Sequence, residues 1–332
     1  MAPPRSASSR QGNGSSGGGF LASAARFWRK SYASDYVGFA LLVTAYLLIQ
    51  FFIEPFHRMF TLSDLRIAFP HAEHERVPLA LDFVYAVFIP LGVLLLYNVV
   101  SGASPHKHHV TILGMVISLI LSAVLTDVVK NMVGRPRPDL LARCKPAPGT
   151  PTDILVTIDV CTETHPHTLQ DGWRSFPSGH SSFSFAGLGY LSLFFAGQMR
   201  IFAHSSGSGS ERSTLGEHAE KVVRGDLLRA LLCLGPLLGA TMIAISRCQD
   251  YRHDVYDVVI GSLLGWTVTY WSYRRHWPRL SSSRSEEPYA GPPGTDDSPP
   301  GTRGYGRIRD EEEGLTQNVG FELAQLMSRT IR

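Results

Sequence analysis

The feature that most constrains this chain is a series of apolar runs close to the length that crosses a hydrocarbon core, about 20 residues of helix. They lie at residues 36–53, 77–100, 110–129, 180–199, 230–245 and 255–273. In hydrocarbon a backbone N–H or C=O has no water to bond, so a spanning segment must satisfy its polar groups internally, as a helix does. The runs therefore predict an all-α integral membrane protein with six transmembrane helices. Hydrophobic residues make up 44% of the chain, which a soluble protein would also tolerate; their concentration into runs argues against a soluble helical bundle. Two runs are weaker. That at 180–199 is rich in Ser and Gly, which lowers its hydropathy but suits close helix packing in a bilayer. That at 230–245 is short and contains Pro236.

Outside the runs the composition changes. Residues 1–30 and 281–332 are dominated by Ser, Gly, Pro and mixed charge. They bury too little apolar surface to offset chain entropy, so disordered tails are expected around a domain at 35–280. No short apolar segment precedes the first run, which is expected to act as an uncleaved anchor. The formal charge of +3, with no long basic stripe, gives no reason to expect a nucleic-acid partner. Four cysteines without CxxC spacing argue against a zinc site.

Basic flanks orient the spans. Arg26, Arg29 and Lys30 precede the first. Lys107 lies between the second and third, and Arg200, Arg212, Lys221, Arg224 and Arg229 between the fourth and fifth. Arg274, Arg275 and Arg279 follow the sixth. With six spans these share one face, expected to be cytosolic together with both termini. The 3–4 loop also carries Arg135, Arg137, Arg143 and Lys145, an excess that a functional role would explain.

That loop borders an unusual constellation. Lys130 ends the third span, followed by Gly134-Arg135-Pro136-Arg137-Pro138; Pro177-Ser178-Gly179-His180 opens the fourth; Ser246-Arg247 ends the fifth; His253 and Asp257 open the sixth. Topology puts all of them at one membrane surface, although more than a hundred residues separate the first from the last. Lys130, Arg137 and Arg247 can surround a phosphate, with guanidinium forks matching its oxygens. Ser178 and Gly179 begin a helix, whose free N–H groups favour an anion. His253 and Asp257, four apart, share a helical face, so the carboxylate is expected to bond one ring nitrogen and leave the other free as a nucleophile. His180, from another helix, is placed to protonate a leaving alkoxide and afterwards to activate water.

The residues Lys130-Asn131-Met132-Val133-Gly134-Arg135-Pro136-Arg137-Pro138, Pro177-Ser178-Gly179-His180 and Ser246-Arg247 with His253 and Asp257 fit the motifs KxxxxxxRP, PSGH and SRxxxxxHxxxD. In these the chain resembles the type 2 phosphatidate phosphatases, or lipid phosphate phosphatases, which share a site with bacterial acid phosphatases and vanadium haloperoxidases. Glu54-Pro55-Phe56-His57-Arg58 and Glu73-His74-Glu75-Arg76-Val77-Pro78 look similar to fungal and plant members that hydrolyse diacylglycerol pyrophosphate and phosphatidate. The resemblance implies the haloperoxidase-like helical core with six spans. It also implies phosphate binding by Lys130, Arg137, Ser178, Gly179 and Arg247, with His180 as acid, His253 as nucleophile and Asp257 as its partner. It implies hydrolysis through a phosphohistidine, independence of magnesium, and no metal or other cofactor. Arg135-Pro136 is a second Arg-Pro pair, but spacing from Lys130 selects Arg137 and leaves Arg135 as a supporting cation.

Three rival functions use the same residues or fewer: a polyprenyl-diphosphate phosphatase, a haloperoxidase, and a non-enzymatic lipid-binding membrane protein. Six spans argue against the second, and intact motifs against the third. Other residues carry plainer expectations. Asp127, three before Lys130, is expected to pair with it. Asp82 is costly in hydrocarbon and lies toward the same face. His106, His108 and His109 are expected in a solvated cytosolic loop. Cys144 and Cys161 share the long 3–4 loop, where a disulfide requires an oxidising compartment; Cys248 is a competing partner, and Cys233 is span packing. The membrane itself, whether vacuole, Golgi, endoplasmic reticulum or plasma membrane, is left open, as are oligomeric state and the preferred lipid.

Overall fold

The computed structural model describes residues 31–202 and 227–291. Among them, six helices of at least 20 residues run through the domain: α1 (Ala33–Phe52), α2 (Leu79–Val100), α3 (Pro105–Val133), α6 (Gly179–Gln198), α7 (Leu227–Gln249) and α8 (Val255–His276). Two short helices, α4 (Leu140–Cys144) and α5 (Pro166–Asp171), fall in the segment between α3 and α6. There is no β-sheet among the described residues, only isolated backbone bridges such as Phe60 with Val156.

Each expected span is a helix, but only α1, α2, α3 and α7 are long and apolar enough to qualify for crossing a membrane by length and composition. The reason lies in packing. Helix α6 sits at the centre, against α3, α7 and α8. Its buried face includes Ser181, Ser182, Ser184, Gly187, Gly189, Ser192 and Gly197. A helix enclosed by other helices needs small residues rather than lipid-compatible ones. Helix α8 divides in the same way: Gly261, Gly265, Thr269 and Ser272 are buried, whereas Val259, Leu263 and Trp271 are exposed. Helix α7, expected as a short run at 230–245, extends to 23 residues and does qualify. Its outer side shows Leu231, Leu234, Leu238 and Met242, an apolar surface of the kind a bilayer covers.

The interhelical core is partly polar. Ser118 meets Thr269 at 2.8 Å, Thr126 meets Ser182 at 2.8 Å, and Ser272 donates to the Gly114 carbonyl at 2.7 Å. These bonds join α3, α6 and α8. Pro90 shapes α2: lacking an N–H, it cannot satisfy the carbonyl four residues back, and the helix widens into a π turn over Val84–Phe88. That residue is Ala86, whose oxygen faces Gly187 so closely that a Cβ there would lie 1.7 Å from it. The glycine thus lets α6 pack on the irregular turn.

At one end of the bundle, the α1–α2 and α3–α6 connections form a folded cap. Phe60, Ile67, Leu140, Cys144, Val156 and Trp173 make its apolar core, and the Trp173 indole donates to the Arg58 carbonyl at 2.9 Å. Cys144 and Cys161 are disulfide-bonded within it, while Cys233 and Cys248 are free.

The opposite end departs from expectation. His106 and His109 belong to the first turns of α3 and bond the Tyr32 and Tyr36 hydroxyls respectively, rather than lying in a solvated loop. The helix starts earlier than the apolar run because Ser104 caps it, accepting from the Lys107 N–H, and Pro105 follows at its first position. Beyond α8, Ser285 is buried against the Gly197 carbonyl, and Tyr289 donates its N–H to His276. The start of the polar C-terminal segment is therefore strapped to the bundle. Of the stretches expected to be disordered, 1–30 and 281–332, residues 281–291 are thus placed on the bundle, and 1–30 and 292–332 lie outside the described residues.

Candidate active site

Helix ends build the site beneath the cap. Helix α3 stops at Gly134, which has φ +57° and donates to the Lys130 carbonyl. A Cβ at this glycine would lie 1.8 Å from the Phe56 oxygen, so the left-handed turn and the close approach both require its absence. The stop leaves Lys130 in the final turn, buried, with Nζ donating to the Arg174 carbonyl at 3.1 Å. The chain then turns through the arginine-proline segment. Arg137 donates from Nε to the Asp171 carbonyl and from Nη2 to its carboxylate, both at 2.8 Å, and from Nη1 to the Arg252 carbonyl at 3.1 Å.

Ser178 caps α6, accepting from the Ser181 N–H. An added Cβ at Gly179 would be 3.6 Å from Lys130 Nζ, so the space over this helix start lies directly beside an ammonium. At the end of α7, Arg247 is 1% exposed and donates to Glu75 at 2.8 Å and to Asp250 at 3.0 Å. His180, with an Nε2 that is buried without a partner among the described residues, lines the same cavity as Lys130, Arg137, Gly179, Arg247 and His253. Its volume is about 400 Å³.

The His253 ring has a defined orientation. Its Nδ1 is 2.7 Å from the Ser175 backbone carbonyl. A carbonyl can only accept, so Nδ1 carries the proton and Nε2 presents its lone pair. Nε2 lies 3.5 Å from Arg137 Nη1. Burial, followed by Arg137, Lys130 and His180, holds the imidazole well below its ordinary pKa of 6.5, so the ring is neutral around pH 7 and nucleophilic.

Here the expected direct bond from Asp257 is corrected. Its carboxylate is 3.8 Å from His253 Nδ1, too far for a hydrogen bond. Asp257 instead receives the Ser175 hydroxyl at 2.6 Å, Arg135 Nη1 at 2.7 Å and the Asp254 N–H at 3.0 Å. It closes a capping box with Asp254 and orients the ring through Ser175. Arg135, the supporting cation, bridges Asp257 and Asp254. The expected Asp127–Lys130 pair is likewise replaced: Asp127 receives Arg174 at 3.2 Å and Gln50 at 2.5 Å. A spacing of three along α3 made the lysine its neighbour in sequence, but Lys130 turns toward the Arg174 carbonyl and the cavity.

Sequence reasoning missed several groups at this site: Glu75, Asp171, Arg174, Ser175 and Arg252. Burial opposes ionisation of Asp171, but Arg137, Arg143 and Arg252 outweigh it and hold the carboxyl far below the usual range. Glu75 bridges Arg247 and Arg252. Carboxylates from the cap thus hold the guanidinium forks aimed into the cavity. The available signals were adjacency to motif residues, as for Arg174, Ser175 and Arg252, and the acidic-basic segment containing Glu75.

The sequence profile of the PAP2 superfamily matches residues 111–281, a range that includes every member of the expected phosphate site. The chain belongs to the PAP2 superfamily. It is 36% identical over 261 residues to "Probable diacylglycerol pyrophosphate phosphatase 1" of Schizosaccharomyces pombe, covering 78% of this chain and 86% of that protein. It is 38% identical over 234 residues to diacylglycerol pyrophosphate phosphatase 1 of Saccharomyces cerevisiae, covering 69% and 74%. With lipid phosphate phosphatase 2 of Arabidopsis thaliana it shares 34% over 229 residues, covering 68% and 71%. No solved structure matches the chain significantly. Membership gives these helix-end residues a shared context: the PAP2 domain begins inside α3, so α1, α2 and the α1–α2 segment, which supplies Glu75, lie outside the matched range.

Proposed function

We propose that this protein is a lipid phosphate phosphatase, acting on phosphatidate, diacylglycerol pyrophosphate and related lipids through a phosphohistidine intermediate. The observation that carries the reading is a neutral His253 whose Nε2 lone pair shares a cavity with three buried cations and the start of α6. The terminal phosphoryl group is held by Lys130, Arg137 and Arg247, with Ser178 and Gly179 offering the helix end. Such preorganised donors oppose the charge that spreads over the equatorial oxygens in the transition state. Nε2 attacks phosphorus; His180 supplies a proton to a leaving alkoxide and then draws one from the water that clears the phosphohistidine. The chemistry is proposed to proceed without magnesium, the cations serving the electrostatic role.

The proposed topology has six spans, both termini cytosolic, and the cavity at the lumenal or extracellular face of an endomembrane or the plasma membrane. Two features support it: among the described residues the basic flanks Lys107, Arg200, Arg274, Arg275 and Arg279 sit at the opposite end of the helices, and the Cys144–Cys161 bond in the cap suits an oxidising compartment. The test is hydrolysis of phosphatidate and diacylglycerol pyrophosphate by purified protein in detergent micelles with EDTA. Activity in chelator, lost together with an acid-labile phosphoenzyme in His253→Ala, is expected. Undiminished turnover by that variant would reject the mechanism, and dependence on added magnesium would reject the metal-free chemistry.

A further inference from the structure

The cavity is larger and more cationic than one phosphate requires. Besides Lys130, Arg137 and Arg247 it is lined by Arg174 and Arg252, which differ in their partners. Arg252 immediately precedes His253 and pairs with Glu75 and Asp171 from the cap. Arg174 pairs with Asp127 of α3, which in turn receives Gln50 of α1, so it faces the spans.

Depth along the helices agrees. Gln50, Asp127 and Gly179 line the cavity at its polar level; Tyr46, Ala123 and Phe183, each four residues deeper in the same helices, line it too. Four residues of α-helix advance about 6 Å. A headgroup beside Arg174 therefore has an aromatic and apolar wall one turn below it, suited to the glycerol end of a lipid. The phosphoryl site lies just above, since the Arg174 carbonyl itself accepts from Lys130 Nζ at 3.1 Å.

We propose that Arg174 receives the inner phosphate of a pyrophosphate lipid, the one that remains on the glycerol, and so sets the preference between pyrophosphate and monophosphate headgroups. This rests on the phosphatase reading above. In-line displacement puts the leaving oxygen opposite His253 Nε2, and a lipid whose glycerol end lies against Tyr46 and Phe183 brings its inner phosphate beside Arg174. As the Nε2–P bond forms, the bridging P–O bond breaks and its electron pair leaves on the inner phosphate, which departs as phosphatidate. Such a phosphate has a second pKa of about 6, so it leaves without needing a proton. A monoester instead expels an alkoxide, which takes a proton from His180. Asp127 engages one nitrogen of Arg174; a guanidinium has five N–H donors, so the pair aims the fork without exhausting it.

The experiment measures kcat/KM for diacylglycerol pyrophosphate and for phosphatidate of the same acyl chains, in mixed micelles with EDTA. It compares the wild type with Arg174→Gln, Arg174→Lys and His180→Gln. Because Arg174→Gln strands the Asp127 carboxylate, the double variant Asp127→Asn/Arg174→Gln is measured as well. The pyrophosphate-to-monophosphate ratio is expected to fall at least tenfold in both Gln variants at position 174 and to recover in part with Lys. In His180→Gln it should move the opposite way, since only the monoester needs that proton. A ratio within twofold of wild type in both Gln variants, whether the two activities fall together or neither falls, overturns the assignment and leaves the phosphatase reading standing. A wild-type protein that hydrolyses neither lipid removes that reading and this inference with it.

Discussion

Asp257→Asn separates two ways in which a carboxylate can assist the attacking imidazole. The carboxylate lies 3.8 Å from His253 Nδ1, and the proton on that nitrogen is held by the Ser175 carbonyl at 2.7 Å. Exchanging the carboxylate for an amide of the same shape therefore leaves the tautomer intact. What the exchange removes is a negative charge close to a ring that becomes cationic as Nε2 bonds to phosphorus. At 3.8 Å and an effective dielectric of about 20, the interaction is roughly 4 kcal/mol. Arg135, 2.7 Å from the other carboxylate oxygen, offsets part of it, leaving about 2–4 kcal/mol, or roughly 30- to 1000-fold in rate. The resting ring is neutral, so the loss should fall on kcat, with KM little changed. A carboxylate that fixed the tautomer by a direct bond would cost about 10⁴-fold. The assay is steady-state hydrolysis in micelles, combined with rapid-quench measurement of phosphoenzyme formation. A kcat within threefold of wild type, or a loss carried by KM, would refute the electrostatic account.

Three further outcomes follow from the same geometry. Gly134→Ala forces a left-handed alanine against the Phe56 carbonyl, and should destabilise the protein by about 3 kcal/mol or more, read as a large drop in Tm in detergent. Breaking the Cys144–Cys161 bond by a double Ser substitution releases a closed loop of sequence separation 17, worth about 3 kcal/mol in the chain-entropy account; earlier thermal unfolding should accompany it, while a thiol-reactive mass tag should label only the two free cysteines of the native protein. His253 is depressed well below 6.5 by burial first and then by Arg137, Lys130 and His180, so between the folded and unfolded values only the unfolded chain binds its proton. This contribution favours the folded state least at low pH: stability should decline as pH falls below about 6.5 and level off only below the folded value. His253→Gln should flatten that decline in pH-dependent unfolding, and an unchanged slope would mean that other groups carry it.

Much of the architecture is legible in the runs themselves, since backbone in hydrocarbon has few alternatives to a helix. The departures come from residues whose surroundings reverse their plain meaning. Ser- and Gly-rich α6 is weakly apolar because it is enclosed by α3, α7 and α8, a fact of packing rather than of the run. Motif spacing selected Arg137 over Arg135, and the structure sets Arg137 in the cavity lining and Arg135 across Asp254 and Asp257. Spacing failed for Asp257, where a separation of four suggested a direct bond to His253. The capping box at the start of α8 claims that carboxylate instead, and leaves the ring to Ser175. No periodicity encodes such a relay, because the Ser175 carbonyl is a backbone group of a distant loop.

By itself, the sequence determined that this chain is helical, that the charged and imidazole side chains of the candidate site stand at helix ends, and that those ends fall at one end of the bundle. Those follow from local physics: hydrocarbon-length runs, interrupted by polar residues at fixed positions, allow little else. Only the tertiary structure decided which groups neutralise which. Glu75 reaches Arg247 across 172 residues and Arg135 reaches Asp257 across 122, while Asp127 passes over nearby Lys130 for Arg174. A buried ion finds its partner by proximity in the folded cap, where desolvation makes an unpaired charge costly, and proximity across that distance is a property of the packed chain alone.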